Sequence, residues 1–129
     1  MKNGLVVDSC GDERWYQNGL LHKENEPAIV YTNGDKFWYV HGLIHRIGGP
    51  AIELTNGEKQ YYLNGKCHRV DGLAIEYANG DKGWFINGKR HREGGPAIEL
   101  SNGYKSWFIS GIEYSYIEYI RIIKLKAFL

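Results

Sequence analysis

The sequence predicts a mostly β protein, an antiparallel meander of stacked β-hairpins in 23-residue repeats with a short C-terminal α-helix as a cap. Three observations lead to this prediction. A period of 23 residues runs through the chain without a slip, Asn-Gly pairs lie between alternating apolar residues, and the last residues break the period. A fixed period of this size is typical of repeat proteins, in which each unit packs on its neighbours.

The period is visible as columns of equivalent residues. The first aromatic column contains Trp15, Trp38, Tyr61, Trp84 and Trp107. The second aromatic column contains Tyr16, Tyr39, Tyr62, Phe85 and Phe108. The histidine column contains His22, His45, His68 and His91, and the basic column that directly follows it contains Lys23, Arg46, Arg69 and Arg92. Ala-Ile pairs begin at Ala28, Ala51, Ala74 and Ala97.

These columns define the domain organisation. We expect a single repeat domain over residues 1–129. Residues 1–12 form an N-terminal half-repeat strand, because Gly4 lies one period before Pro27. Residues 13–111 contain four and a fraction repeats, and residues 112–129 form the C-terminal cap.

Two turn sites in each repeat predict the hairpins. In the third repeat they are Asn56-Gly57 and Asn64-Gly65. Asn-Gly favours a type I′ turn because both central residues of that turn need a positive φ. The turns would join strands over residues 51–54, 59–63 and 66–69 into a β-meander.

Two-residue loops at both sites would set the strand register and therefore the two faces of the sheet. They place Ile52 opposite Tyr61 and Glu53 opposite Gln60. The core face then carries rows such as Trp84, His91 and Ile98. The other face carries the alanine column and rows such as Phe85, Arg92 and Glu99, and we expect a partner to bind there. The candidate partner-binding residues are Arg46, Arg69, Arg92, Tyr39, Tyr62, Phe85, Glu53, Glu76 and Glu99.

Composition limits the possible functions. A formal net charge of +1 gives no strong field that would attract nucleic acid or an anionic membrane. Cys10 and Cys67 form neither a disulfide framework nor a CxxC pair, which indicates a reducing compartment. No stretch has the ~18 apolar residues of a membrane span, and the first residues lack a signal-peptide core. We expect a soluble, cytoplasmic protein with no membrane contact.

The repeated histidine, basic and glutamate columns could serve a metal site, a nucleic-acid site or catalysis, but each also has a structural explanation. One histidine per unit separates neighbouring rings by about 10 Å or more, so the column more simply bonds a neighbouring turn than a metal ion. The basic column beside aromatics could bind single-stranded nucleic acid, but the low net charge favours a solvated ladder. The glutamate column has no acid partner, and Cys67 and His68 should point to opposite strand faces. We predict no catalytic residue, metal or cofactor.

The tail from Ser115 predicts the helical cap. Ser115 with Glu118 three residues later matches a capping box. Glu118, Arg121 and Lys124 would form a narrow polar stripe, which leaves the apolar residues to bury against the sheet. A strand is the alternative, because many of these residues are β-branched or aromatic.

The units WYQNGLLH, FWYVHGLIHR, YYLNGKCHR and WFINGKRHR resemble the MORN-type repeat, and most closely its WYxNGKxHRxxGPA variant. That variant recurs in phages, large DNA viruses and some bacteria. The resemblance covers about residues 13–111, although the Tyr-x-Gly opening of the ordinary repeat is missing. It implies a ribbon of stacked hairpins, used for protein or membrane contact, without chemistry of its own.

These observations lead to a functional hypothesis. We expect a non-enzymatic protein-binding module, in particular a phage or viral protein that inhibits a host defence factor in the host cytoplasm. A structural or assembly protein, including a homodimer, or an antitoxin-like partner is one alternative. A nucleic-acid or nucleotide binder is the other.

Overall fold

The structure is a computed structural model and describes residues 1–128. Over this range the chain forms eighteen β-strands and one α-helix, numbered here in chain order. The strands form an antiparallel hairpin meander, and the helix follows the last strand. The fold class expected from the period and from the tail is therefore confirmed.

Twelve strands form one long sheet: β1 (Gly4–Val7), β2 (Glu13–Gln17), β3 (Leu20–Leu21), β4 (Ile29–Val30), β5 (Lys36–Phe37), β8 (Ile52–Glu53), β9 (Lys59–Gln60), β12 (Ile75–Glu76), β13 (Lys82–Gly83), β16 (Ile98–Glu99), β17 (Lys105–Ile109) and β18 (Ile112–Tyr114). Three separate hairpins stand beside it: β6 (Tyr39–Val40) with β7 (Leu43–Ile44), β10 (Tyr62–Leu63) with β11 (Lys66–Cys67), and β14 (Phe85–Ile86) with β15 (Lys89–Arg90). The long sheet and the hairpin row follow the same 23-residue period.

The two turns of each repeat differ in type, which corrects the predicted register. At Asn64-Gly65 both residues have positive φ, and Leu63 pairs with Lys66 as predicted for a two-residue loop. At the other turn only Gly57 has positive φ. Its neighbours form a three-residue loop, in which a type I turn is followed by a residue in the left-handed region.

The extra loop residue moves the pairing by one position. Ile52 pairs with Gln60 and Glu53 with Lys59, so the predicted pairs of Ile52 with Tyr61 and of Glu53 with Gln60 are wrong. A one-residue shift exchanges the two faces of a strand. The predicted division of each repeat into two faces is therefore wrong in part: Ile52 and Ile75 are buried, as expected for the core face, but the alanine column does not lie on the other face.

Three residues of the first aromatic column, Trp38, Tyr61 and Trp84, lie between two strands, whereas Trp15 and Trp107 lie within β2 and β17. The predicted strand over residues 59–63 is divided at Tyr61 into β9 of the long sheet and β10 of a hairpin. The backbone at Tyr61 still bonds both sides: its N–H donates to the Ala74 carbonyl at 2.8 Å, and its carbonyl accepts from the His68 N–H at 3.0 Å. This break allows each hairpin to stand over the long sheet.

The core lies where the long sheet and the hairpin row meet. Ala74 and Ile75 of the sheet pack with Cys67, Tyr62 and Phe85 of the hairpins. All four alanines of the column, Ala28, Ala51, Ala74 and Ala97, are 0% exposed. The prediction that they line a half-exposed face is wrong, because the corrected register turns them inward.

Backbone hydrogen bonds connect each hairpin to the next. The Gly65 N–H donates to the Ile44 carbonyl at 2.8 Å, and the Gly88 N–H donates to the Cys67 carbonyl at 2.8 Å. The Arg69 N–H donates to the Phe85 carbonyl at 3.0 Å. Neighbouring repeats are therefore coupled through main-chain bonds as well as through side-chain packing.

Aspartates connect the three-residue turns of neighbouring repeats. The Asp35 carboxylate accepts from the Thr55 N–H at 2.8 Å, and the Asp81 carboxylate accepts from the Ser101 N–H at 2.7 Å. Each of these N–H bonds favours the ionised carboxylate and lowers the pKa of the aspartate below its ordinary value of 3.8.

The C-terminal helix α1 (Tyr116–Lys126) begins at the predicted cap. Ser115 is its N-cap, and its side-chain oxygen accepts from the Glu118 N–H at 3.2 Å. The helix contacts β17 and β18, and thus closes the C-terminal end of the array. The alternative of a strand for this segment is wrong, and Leu129 of the predicted cap lies outside the described residues.

The helix α1 has 11 residues, and no helix of the described chain is long and apolar enough to cross a membrane.

The predicted N-terminal half-repeat strand is present as β1, which pairs with β2 through Leu5 opposite Trp15. No other strand of residues 1–128 pairs with β1, so its second edge is open.

Replacement of Ala74 by leucine tests the close approach of the two layers. The alanine methyl group has no free space around it, so three additional carbons would force the hairpin away from the sheet. We expect the free energy of unfolding to fall by about 1–3 kcal/mol in urea denaturation. Ala78→Leu is the matched control, because Ala78 is exposed on a turn and should change stability little. Equal effects of the two substitutions would contradict the packing described above.

The aspartate bonds predict a specific pH dependence. A folded-state pKa below the unfolded value adds stability above about pH 3.8, and this stability is lost as the pH falls through the folded value. In the double variant Asp35→Asn/Asp81→Asn the amide oxygens can still accept but do not titrate. We expect its free energy of unfolding to depend less steeply on pH below about pH 4 than that of the wild type. Asp71→Asn, on a loop without such a bond in residues 1–128, should keep the wild-type slope.

Candidate functional site

Four loops that follow the histidine column form a row along the molecule. We call them loop 1 (residues 23–27), loop 2 (residues 46–50), loop 3 (residues 69–73) and loop 4 (residues 92–96). The first residue of each is basic, and its cationic group lies over a ring of the first aromatic column. The distances to the ring centres are 3.9 Å for Lys23 on Trp15, 3.9 Å for Arg46 on Trp38, 4.0 Å for Arg69 on Tyr61 and 3.8 Å for Arg92 on Trp84.

Each arginine also closes its own loop. Its Nη1 donates to the carbonyl four residues later: to Pro50 at 3.0 Å, to Leu73 at 3.1 Å and to Pro96 at 3.0 Å. The guanidinium therefore contacts an aromatic ring and holds the far end of the loop at once. Such stacking is worth about 0.5–2 kcal/mol, and the planar group is suited to both contacts.

A glycine near the end of loop 2 makes room for its guanidinium. A Cβ built on Gly49 would lie 2.8 Å from Cζ of Arg46, which is closer than carbon atoms approach. The equivalent Cβ on Gly72 would lie 3.6 Å from Cζ of Arg69, an ordinary contact. Gly49 is thus explained by the side chain that packs on it, whereas Gly48 has a positive φ of 85° and open space around it.

The predicted glutamate column contacts the arginines in two of three repeats. Nη1 of Arg46 lies 3.0 Å from Oε1 of Glu53, and Nη1 of Arg92 lies 3.3 Å from Oε1 of Glu99. Glu76 is exposed and makes no such pair with a described residue. The structure therefore forms two separate pairs, Arg46 with Glu53 and Arg92 with Glu99, and leaves Glu76 apart.

The second aromatic column lies away from the arginines. Tyr39, Tyr62 and Phe85 are half-buried residues of the hairpins, and Tyr62 donates to the Gln60 side-chain oxygen at 3.0 Å. Burial raises the pKa of Tyr39 and of Tyr62. The predicted row of Phe85 with Arg92 is wrong, because Arg92 stacks on Trp84 and shares its side of the repeat.

The histidine column has the structural role expected from its spacing. Nδ1 of each histidine accepts the N–H of the turn residue 19 positions later, at 2.9 Å in every repeat. The four donors are His41, Asn64, Asn87 and Ser110. An accepting Nδ1 carries no proton, so the proton of the neutral ring is on Nε2. In residues 1–128 no group of three or more His, Cys, Asp or Glu side chains is placed to hold a metal ion.

Grooves separate successive loops. The groove between loops 1 and 2 has a volume of about 280 Å³, and the groove between loops 3 and 4 about 620 Å³. The groove between loops 2 and 3, which we call the central groove, has a volume of about 590 Å³. Its walls include the two stacked arginines, and Tyr61 and Leu63 line it between the loops.

The rims of these grooves differ in chemistry. The second residue of each loop is Glu24, Ile47, Val70 or Glu93 in chain order. Ile47 is 82% exposed and Val70 is 75% exposed, so two aliphatic side chains stand in solvent on either side of the central groove. The acids of loops 1 and 4 each have a partner. Oε1 of Glu24 lies 3.3 Å from Nε2 of His22, and Glu93 contacts the ammonium group of Lys126.

The basic side chains of the loops are already engaged within the protein. The basic groups are held against rings and carbonyls, and the buried thiol of Cys67 has its pKa raised to about 12 by desolvation. A thiol with this pKa is protonated and unreactive near neutral pH. What the surface presents is a rigid groove with an apolar rim.

No protein-family model and no curated protein sequence matches this chain.

The exposed rim residues Ile47 and Val70, and the role of Gly49, were not predicted from the sequence. Ile47 and Val70 were visible as two aliphatic residues in a column whose outer members are acids. The stacking of the arginines on the first aromatic column was hidden, because the predicted register placed these two columns on opposite faces.

Gly49→Ala and Gly72→Ala form a matched pair, since both lie at the same position of neighbouring repeats. The methyl group on Gly49 would displace the Arg46 guanidinium from the Trp38 ring and from the Pro50 carbonyl. We expect this variant to lose about 1–2 kcal/mol of unfolding free energy. The methyl group on Gly72 meets Arg69 at an ordinary distance, so Gly72→Ala should lose clearly less. Urea denaturation measures both, and the opposite order would contradict the arginine geometry.

Proposed function

We propose that this protein is a non-catalytic protein-binding module and that the central groove is its contact site. One observation carries the proposal: Ile47 and Val70 are exposed on either side of a 590 Å³ groove, at positions where the outer repeats carry acids. Isolated exposed aliphatic residues are common on protein surfaces, but two at the rim of one concave site favour association with an apolar surface.

The rigidity of the loops supports this role. The stacked arginine and its bond to the loop carbonyl hold loops 2 and 3 in one shape before a partner arrives. Binding then loses little conformational entropy, which increases the affinity available from a small contact area. Function would therefore depend on the loops as a pre-formed surface, in which the arginines act mainly by position.

The same contacts argue against the nucleic-acid alternative. Phosphate binding needs basic groups that can exchange counterions for phosphates. Here Arg46 and Arg92 are paired with glutamates, and the net charge of the chain is +1. A protein partner with an apolar contact patch fits this surface better.

The resemblance to viral and phage repeats suggests the biological form of the proposal. We propose that the module inhibits a host factor, such as a defence enzyme, by direct binding in the host cytoplasm. The free thiols of Cys10 and Cys67 are consistent with a reducing compartment.

The open edge of β1 favours a structural or assembly role as the second candidate. Leu5, Val6 and Val7 are exposed on this strand, and an uncovered apolar edge can pair with a strand of another chain. Light scattering over a range of concentrations tests this candidate. A strict monomer at high concentration would exclude pairing through β1.

The double variant Ile47→Glu/Val70→Glu tests the central groove. Both side chains are exposed, so the fold should tolerate the change, which circular dichroism can verify. Loss of two aliphatic contacts and burial of two charges should weaken partner binding by roughly 100-fold or more. Tagged wild-type and variant proteins would be compared for the proteins that they capture from a cell lysate and for their affinity for each.

Tyr104→Glu is the matched control for this experiment. Tyr104 is an exposed aromatic residue directly after a three-residue turn, in a different row from loops 2 and 3. It should bind the same partner as the wild type. Unchanged capture by the double variant would show that the partner uses another surface.

A further inference from the structure

The last groove of the array already contains a side chain, supplied by α1. The ring of Tyr119 is 2% exposed and lies against loop 4. Its hydroxyl donates to the Arg92 carbonyl at 2.7 Å and accepts from the Gly95 N–H at 3.1 Å. The phenol therefore satisfies one acceptor and one donor of the loop backbone while its ring fills the apolar space.

The repeat places the same backbone pair in loop 2. Its members are the Arg46 carbonyl and the Gly49 N–H, two periods before Arg92 and Gly95. Within residues 1–128 neither group makes a hydrogen bond, although the side chains around them do. Both residues line the central groove. The central groove thus contains an unoccupied copy of the contact that Tyr119 makes in loop 4.

The helix α1 contributes two rings to the last groove, and only one of the two positions is empty in the central groove. In the last repeat, Trp107 packs on Tyr116 of α1, with ring centres 5.1 Å apart. In the central groove the equivalent ring, Tyr61, is covered by the Arg69 guanidinium. The position of Tyr116 is therefore filled by the next repeat, whereas the position of Tyr119 is not.

We propose that the central groove binds a tyrosine side chain from an amphipathic helix of the partner protein, with the hydroxyl between the Arg46 carbonyl and the Gly49 N–H. This inference rests on the proposed function and names the class of partner. In α1 the residues one and four positions after the tyrosine, Ile120 and Ile123, line the same groove. The partner helix should carry aliphatic residues at these spacings, since positions three and four apart share a helix face.

The rim chemistry agrees with an apolar helix. At loop 4 the rim residue Glu93 pairs with Lys126 of α1. At loops 2 and 3 the corresponding residues are Ile47 and Val70, which would cover aliphatic side chains of the bound helix. The volume of about 590 Å³ also exceeds the roughly 350 Å³ that remains beside α1 in the last groove.

A synthetic peptide with the sequence of residues 115–128 is the probe. It would be titrated into the intact ¹⁵N-labelled protein, with a second peptide in which the residue equivalent to Tyr119 is phenylalanine. We expect the Gly49 amide signal to shift on addition of the first peptide. The phenylalanine peptide should bind about tenfold more weakly, because it leaves the two backbone groups of loop 2 unpaired.

Three results of the peptide titrations would overturn the inference. They are no binding of the tyrosine peptide at millimolar concentration, equal binding of both peptides, and shifts confined to the surroundings of Gly95, where the peptide would replace α1. A shift of the Gly49 signal when the protein alone is concentrated would identify a second copy as the occupant and would also overturn the partner helix.

The variant Ile47→Glu/Val70→Glu separates this inference from the proposed function. If the variant loses the natural partner but the tyrosine peptide does not bind even the wild-type protein, the groove is a binding site for a different kind of ligand. Retention of the natural partner by the variant would instead remove the groove from the proposed function. We expect the wild-type protein to bind both the natural partner and the tyrosine peptide, and the variant to bind neither.

Discussion

The structure depends on the close approach of two β layers at the alanine column. Each repeat places one methyl group, with no exposed surface, where the hairpin row passes over the long sheet. A larger side chain at this position would separate the layers and weaken the hydrogen bonds that join successive hairpins. Because the same constraint recurs every 23 residues, the spacing of the loops along the molecule is fixed by the core beneath them.

That regular spacing is what gives the surface its grooves. At Trp38, Tyr61 and Trp84 one strand ends before the next begins, and the basic residue of the following loop covers one side of the ring. Residues of a predicted contact face have in this way become the inner supports of the loops. The side chains that remain free to meet a partner are the loop tips, which contribute little to stability and can vary between repeats.

Much of the fold could be predicted from the sequence, because period, turn residues and the helix cap are local signals. The two-residue turn at Asn64-Gly65 and the cap at Ser115 are examples. The other turn could not be predicted from its Asn-Gly pair, since the same pair suits a two-residue loop and a three-residue loop that ends in glycine. The pairing of Arg92 with Glu99 was anticipated, whereas, because of that ambiguity of one residue, the stacking of Arg46 on Trp38 and of Arg92 on Trp84 was not.

The side-chain bonds that connect the three-residue turns of neighbouring repeats are interrupted at one position, and this affects how the array unfolds. The column of Asp12, Asp35 and Asp81 carries Glu58 in the third position, where the longer side chain accepts from Gln60 at 2.7 Å and not from the next turn. In a linear array, opening begins where the coupling between neighbours is weakest. We therefore expect the array to open first at the seam between Glu58 and Ala78, which lies between the two repeats whose loops form the central groove.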